Sequence, residues 1–371
     1  MHPQPTFCPN LDCPSRGLKN QGNLHLHVSL KNRWRCDVCK TTFSGKKGTP
    51  FYRLKTDPQI VTWVVTLLGY GCPLQAIVAA FGLDERTVAK WHKRAGEHCE
   101  GVHNALVQTP QDLQCVQADE IRVRAKKRQV FWMAMAIAVT SRLWLGGVVS
   151  SRRDKQLARK IAQKVRACAR LGSLLVLTDG WPAYKQAFLD AFRSPVFTGK
   201  RGQPRQIPWP DFVLAQTVKW QEAGRVIGIR VCHLFGNVKQ IACLLPQKQV
   251  LNTAYIERLN ATFRQRLYSL CRRTRCLAVS EENLHRSMYL VGTLYNFCTP
   301  HQSLGEIRSG KKRWATTPAM AAGLTADVWS VEDVLCYQVA PAPMVPPKRR
   351  GRPPAKTGTR KTKGGANVVT V

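Results

Sequence analysis

A chain of 371 residues with 57 Lys and Arg against 22 Asp and Glu carries a formal charge of +35. So large an excess opposes compaction and points to a polyanionic partner, most simply nucleic acid. The longest apolar run, residues 130–139, is too short to span a bilayer, no basic amphipathic helix stands out for a membrane surface, and the opening MHPQPTFCPN lacks the apolar core of a signal peptide.

Fourteen cysteines in a long chain without such a signal indicate reduced thiols and a metal site, in a cytoplasmic protein. The first expected module, residues 1–50, is a zinc ribbon. Cys8 and Cys13 (CPNLDC) and Cys36 and Cys39 (CDVC) form two pairs separated by 22 residues. Two such pairs on two tight turns supply the four thiolates that tetrahedral Zn²⁺ takes. About forty residues bury too little apolar surface alone, so the ion would contribute folding energy. His25 and His27 lie between the pairs, but four cysteines already complete the site. Residues 51–105 are expected to form a helix-turn-helix, from the segments PQIVTWVVTLLGYG, PLQAIVAAFG and LDERTVAKWHKRAG, with Asp84 as N-cap of the third helix. Its basic face offers Arg86, Thr87, Lys90 and His92 to DNA, while Val88 and Trp91 pack inward. A plain helical bundle with a solvated charged face is the other reading.

From residue 110 to 305 the pattern changes. CVQADEIRVRAKKRQVFWMAMAIAVTSRLWLGGVVSS reads as three strands with short turns near 126–127 and 141–142. A helix follows, with Leu157, Ile161, Val165 and Cys168 on one face. Then come a buried strand, SLLVLTD, and a helix starting near Pro182. Three strands, helix, strand, helix is the order of the α/β ribonuclease-H-like fold, in which the first and fourth strands are neighbours. Asp119 in the first strand and Asp179 at the end of the fourth would then approach each other. Asp179 otherwise serves to cap the following helix. Two adjacent carboxylates repel unless a cation lies between them, and hard oxygens suit Mg²⁺ or Mn²⁺. Glu120 should point to the opposite sheet face from Asp119. The helical stretch NTAYIERLNATFRQRL, 252–267, adds Glu257, Asn260 and Arg264 along one stripe, which suits a metal with a phosphate beside it. An ordinary solvated helix face has the same spacing. Residues 195–250, with a hairpin around Glu222-Ala223-Gly224, read as an insertion before this helix.

Residues 306–340 form a C-terminal extension, and 341–371 a basic tail rich in Pro and Gly that is expected to be disordered. In its KRRGRPPAK stretch, Arg350 and Arg352 flank Gly351, and Pro353 keeps the chain extended. This resembles an AT-hook, which lays two guanidiniums in a narrow minor groove; a generic basic tail that adds only unspecific affinity is the other reading.

Four stretches carry a family resemblance: ADE at 118–120, TDGWPAY at 178–184, YIERLNATFRQRL at 255–267, and RRTRCLAVSEENLHRSMYLVGTLYNF at 272–297. On these the chain resembles bacterial insertion-sequence transposases of the Asp-Asp-Glu class, most closely the family of the first-numbered insertion sequence, over about residues 5–305. The resemblance implies Asp119, Asp179 and Glu257 as a catalytic triad holding Mg²⁺ or Mn²⁺, with Asn260 and Arg264 near DNA. It implies a zinc and helix-turn-helix module that binds the element's double-stranded DNA ends, and strand cleavage followed by transfer into target DNA. It also implies a homo-oligomer associated with the nucleoid. A catalytically silent DNA-binding regulator and a nuclease without strand transfer are the alternative classes.

Overall fold

Three short strands make the N-terminal module: β1 (Leu24–Val28), β2 (Arg33–Cys36) and β3 (Thr42–Ser44), antiparallel and in chain order. Three helices follow, α1 (Pro58–Gly69), α2 (Leu74–Phe81) and α3 (Glu85–Leu106). Gly82 ends α2 in the left-handed region, and the Asp84 carboxylate accepts the Arg86 and Thr87 N–H groups to start α3. Residues 82–84 alone therefore join the two helices. The structure is a computed structural model and describes residues 5–197, 199, 202–222, 225–244, 251–271, 276–305 and 315–343. Arg350 and Arg352 lie outside the described residues.

The central sheet is built from β4 (Gln114–Arg124), β5 (Val130–Ala138), β6 (Trp144–Ser150), β7 (Leu174–Asp179), β10 (Phe212–Glu222) and β11 (Arg225–Phe235). A separate two-stranded ribbon pairs β8 (Arg193–Val196) with β9 (Arg205–Pro208). The sheet order is β11-β10-β7-β4-β5-β6. β4, β5 and β6 form an antiparallel meander, whereas β7 lies parallel to β4 and β10 parallel to β7. Parallel neighbours need a crossover, and α4 (Lys155–Cys168) and α5 (Pro182–Ala191) supply helices for the two crossovers. Alternation along β4 divides its side chains between two cores. Val116 and Ala118 pack with α4 and α5, while Ile121 and Val123 pack with α7 (Ala254–Arg266) and α8 (Glu281–Cys298). The chain is thus a multidomain α/β protein with a mixed central sheet.

Two sequence expectations change here. Within 195–250, β10 and β11 belong to the sheet itself and are not an insertion into it. The apolar run Phe212–Ala215 is fully buried beside β7, whereas Val218, Trp220 and Ile227 further out on the hairpin are exposed. The third helix also continues past its expected end near Gly96 to Leu106. A Cβ at Gly96 would sit 2.7 Å from the Arg286 carbonyl oxygen, so glycine lets α3 and α8 touch closely.

After α6 (Val238–Leu244), α7 and α8, the extension forms α9 (Pro318–Ala321) and α10 (Val331–Cys336). It binds the helices to the N-terminal module. Trp329 stacks on Phe297, the His98 ring lies 3.0 Å from the Val334 carbonyl oxygen, and the Gln338 amide donates to the Gly45 and Lys47 carbonyls. Among the described residues no helix is long and apolar enough to cross a membrane.

Candidate metal centres

The Sγ atoms of Cys8, Cys13, Cys36 and Cys39 all lie within 4.8 Å of one another. Cys8 and Cys39 are 3.7 Å apart, Cys13 and Cys36 3.9 Å. A tetrahedron with Zn–S bonds of about 2.3 Å has S···S edges of about 3.8 Å, so the cluster fits a zinc ion. Burial pushes the Cys8 and Cys13 thiols up. Burial acts the same way on Cys39, but hydrogen bonds from Thr41 and Asn10 bring it down to about 6. The Asn23 amide donates to Cys36 Sγ at 3.4 Å, as an outer partner of a thiolate would. His25 is turned instead to Asp37, at 3.1 Å.

The second cluster is acidic. Ala118 pairs with Thr178 across the parallel β4–β7 ladder, which sets Asp119 and the terminal Asp179 one step further on. One Asp119 oxygen accepts the Glu120 N–H at 2.8 Å, and the other accepts the Asn260 amide of α7 at 2.7 Å. Asp179 accepts the Trp181 N–H at 3.1 Å. Trp181 itself holds the N-cap position of α5, so Asp179 braces the link to the helix without capping its first turn. One carboxylate oxygen from each of Asp119, Glu120 and Asp179 lies within 4.8 Å of the other two, a geometry able to hold a divalent ion.

Burial pushes Asp119 up to about 6; the Glu120 N–H opposes this, and the charges of Glu120, Asp179 and Glu257 add to it. Burial also raises Asp179, against the Trp181 N–H and the Arg153 charge. Partly buried acids, with Asp119 raised further by its acidic neighbours, mark a place where a cation is welcome.

Glu257 stands in the first turn of α7 and accepts the Thr253 hydroxyl at 3.2 Å. It is not part of the tight oxygen group, but its charge reaches Asp119. Asn260 is buried, in direct contact with Asp119. Arg264 is half-buried one further turn along the helix. Gln117, which sequence reading passed over, fastens α7 to the sheet: its amide donates to the Asn252 carbonyl at 2.7 Å and its oxygen accepts the Ile256 N–H at 2.9 Å. A glutamine set between the apolar Val116 and Ala118 was the available signal.

Glu120 obeys the alternation and faces α5, yet its carboxylate stays close because Asp179 ends the neighbouring strand. Its side chain is 3 % exposed. The Arg153 Nε donates to it at 2.6 Å, its Nη2 also donates, and the Tyr184 hydroxyl donates at 2.8 Å. Arg153 lies over the rings of Trp132 and Trp181, with Nη2 3.9 Å from Asp179. Nothing local in the SRRD turn signals this role; the sheet topology creates it. Beside Arg153 opens a cavity of about 480 Å³ bordered by Lys155, Arg159, Trp181 and Gln186.

On α3, Arg86 and Lys90 are exposed, Thr87 is half-buried, and Val88 and Trp91 are buried. His92 does not face outward as expected. Its Nε2 lies 3.2 Å from Ser287 Oγ on α8, and burial pushes it down to about 4. The 3.6-residue turn carries position 92 round toward α8, away from the exposed face of Arg86 and Lys90. No family model matches the chain, and no curated protein matches it.

Proposed function

We propose that the protein is a DNA transposase of the Asp-Asp-Glu class, a polynucleotidyl transferase that cuts the ends of a mobile element and joins them to target DNA. The observation that carries this reading is the parallel pairing of β4 with β7, which brings Asp119 beside Asp179 under a helix that bears Glu257 and reaches Asp119 through Asn260. The strand order, a three-stranded meander flanked by two parallel strands, is what a ribonuclease-H-like catalytic domain would have.

In this reading Asp119, Asp179 and Glu257 hold Mg²⁺ or Mn²⁺, and the four cysteines hold Zn²⁺. Divalent ions bound at such acids supply an activated oxygen nucleophile at neutral pH and neutralise charge developing on phosphorus. The protein's own groups prepare the place. The Asn260 amide and the Glu120 N–H fix the Asp119 carboxylate in one orientation. Gln117 sets the depth of α7 and therefore of Glu257. Arg153, lying against the Trp132 and Trp181 rings, offers its remaining N–H groups to a phosphodiester. The cysteine module and the α2–α3 pair, through Arg86, Thr87 and Lys90, bind the element's double-stranded ends, and pairing of two ends calls for a homo-oligomer.

A second reading, a DNA-binding regulator without chemistry, draws on Glu257 standing outside the tight oxygen group. One experiment separates them. The protein is incubated with Mg²⁺ or Mn²⁺, labelled duplexes carrying the ends that flank its gene, and a target plasmid. The proposal expects nicked and joined products from the parent and none from Asp179→Ala. Specific binding with no product under either metal would overturn it in favour of the regulator.

A further inference from the structure

Helix α7 has two working stripes. Glu257 and Asn260 belong to the first, at the acids. Tyr255, Arg258 and Thr262, spaced three and four residues apart, make the second. That second stripe borders a cavity of about 580 Å³, completed by Arg142, His301 and Ser303 among others.

Arg142 sits in the β5–β6 turn with φ +60°, a left-handed conformation that costs a non-glycine residue energy. Its guanidinium lies 3.9 Å above the Tyr255 ring, and its carbonyl accepts the Tyr295 hydroxyl at 3.1 Å. Packing therefore holds both ends of the residue in place. Its Nε and Nη1 are buried without a well-formed hydrogen bond among the described residues, and only the Tyr255 and Tyr295 side chains favour the charged guanidinium. Buried guanidinium N–H groups without an acceptor are costly, so a site that keeps them oriented implies an acceptor that arrives from outside.

The rest of the lining identifies that acceptor. Among the described residues no carboxylate borders the cavity. Arg258 is exposed at its rim, and Thr262 and Ser303 contribute hydroxyls. The charges of Arg142 and Arg258 both reach His301, which burial and then these two cations push down. Two guanidiniums with hydroxyls beside them, and no competing acid among the described residues, complement a phosphate group.

We propose that this cavity binds a backbone phosphate of a DNA strand, at a position on α7 separate from the acids. The assignment rests on the nucleic-acid reading of this strongly basic chain. It places a DNA strand along both stripes of one helix, so that a phosphate anchored at Arg142 and Arg258 sets the register of the strand presented to Asp119 and Asp179.

The test uses the full chain and a fluorescent duplex, with anisotropy recorded over a range of salt. Arg258 is exposed, so Arg258→Gln keeps the fold; Arg142→Lys serves as the second variant, retaining charge but losing the planar fork. Loss of one phosphate contact should weaken binding about tenfold. It should also lower the slope of log affinity against log salt by about 0.9. That result for Arg258→Gln, with weakened binding in Arg142→Lys, supports the site. Unchanged affinity and slope in Arg258→Gln overturns it. So does stoichiometric binding of adenosine monophosphate or inorganic phosphate to the parent with no change in DNA affinity in the variant, which would make this a site for a free phosphate. Failure of the parent to bind DNA at all would instead remove the nucleic-acid reading. Failure to cut DNA leaves this binding measurement untouched.

Discussion

Glu120 already receives three hydrogen bonds, two from Arg153 and one from Tyr184, while almost fully buried. A carboxylate so engaged has little capacity left for a cation, and its role is to hold Arg153 against the two indoles and beside Asp179. Removing Arg153 would strand a buried charge. Because Arg153 is itself about one-third exposed, Arg153→Ala should cost about 2 kcal/mol, below the range for fully buried pairs. Glu120→Gln in the Arg153→Ala background should restore part of that loss, so chemical denaturation of the four proteins should give a coupled double-mutant cycle. Additive effects would contradict the pairing. At this scale the sequence was informative where chemistry is local. Asp119, Asp179 and the Glu257–Asn260 spacing were visible in it, and Asn260 does touch Asp119. Arg153, Tyr184 and Gln117 were not, because their partners lie on other elements.

Helix α3 shows what happens when a local pattern meets tertiary packing. Its first half, capped by Asp84 and carrying Arg86, Val88, Lys90 and Trp91, was legible from periodicity. The second half, EHCEGVHNAL, has few large apolar residues and a glycine in its middle, so it carried no helical signal. It is helical because it is buried: His98, Cys99, Val102 and His103 pack against α8, α10 and β6. Burial pushes His103 down to about 3 and His98 to about 4, from an ordinary 6.5. A histidine depressed on folding contributes stability that is complete above its unfolded value and is lost as pH falls toward the folded one. His103→Gln removes that titration, so the stability gap between parent and variant should narrow from about pH 7 to about pH 5. Thermal melting at both pH values reads the gap; a constant or widening gap would contradict the buried neutral imidazole. Strands β10 and β11 teach the same lesson. Among their described residues only Phe212–Ala215 forms a buried apolar run, and pairing with β7 decides their place.

Across the whole molecule the acids come from three distant segments, and a sheet with parallel β4 and β7 is what gathers them. The chain order of strands and helices announced that neighbourhood, whereas the binding of the C-terminal extension to the cysteine module through Gln338 had no sequence signal at all. The chain that carries this small acidic centre has a net charge of +35. In the proposed reading such a contrast would attract DNA over a long range while leaving divalent ions a favourable place at the acids. The central claim is that Asp119, Asp179 and Glu257 hold those ions and Glu120 holds Arg153. The direct measurement is Mn²⁺-dependent cleavage of end DNA by Glu257→Gln and Glu120→Gln side by side, with Mn²⁺ affinity recorded on each. The account predicts that Glu257→Gln loses both affinity and cleavage while Glu120→Gln keeps Mn²⁺ affinity. The reverse pattern, with Glu120→Gln losing the ion and Glu257→Gln retaining it, would contradict the account and assign the site to the tight Asp119–Glu120–Asp179 group.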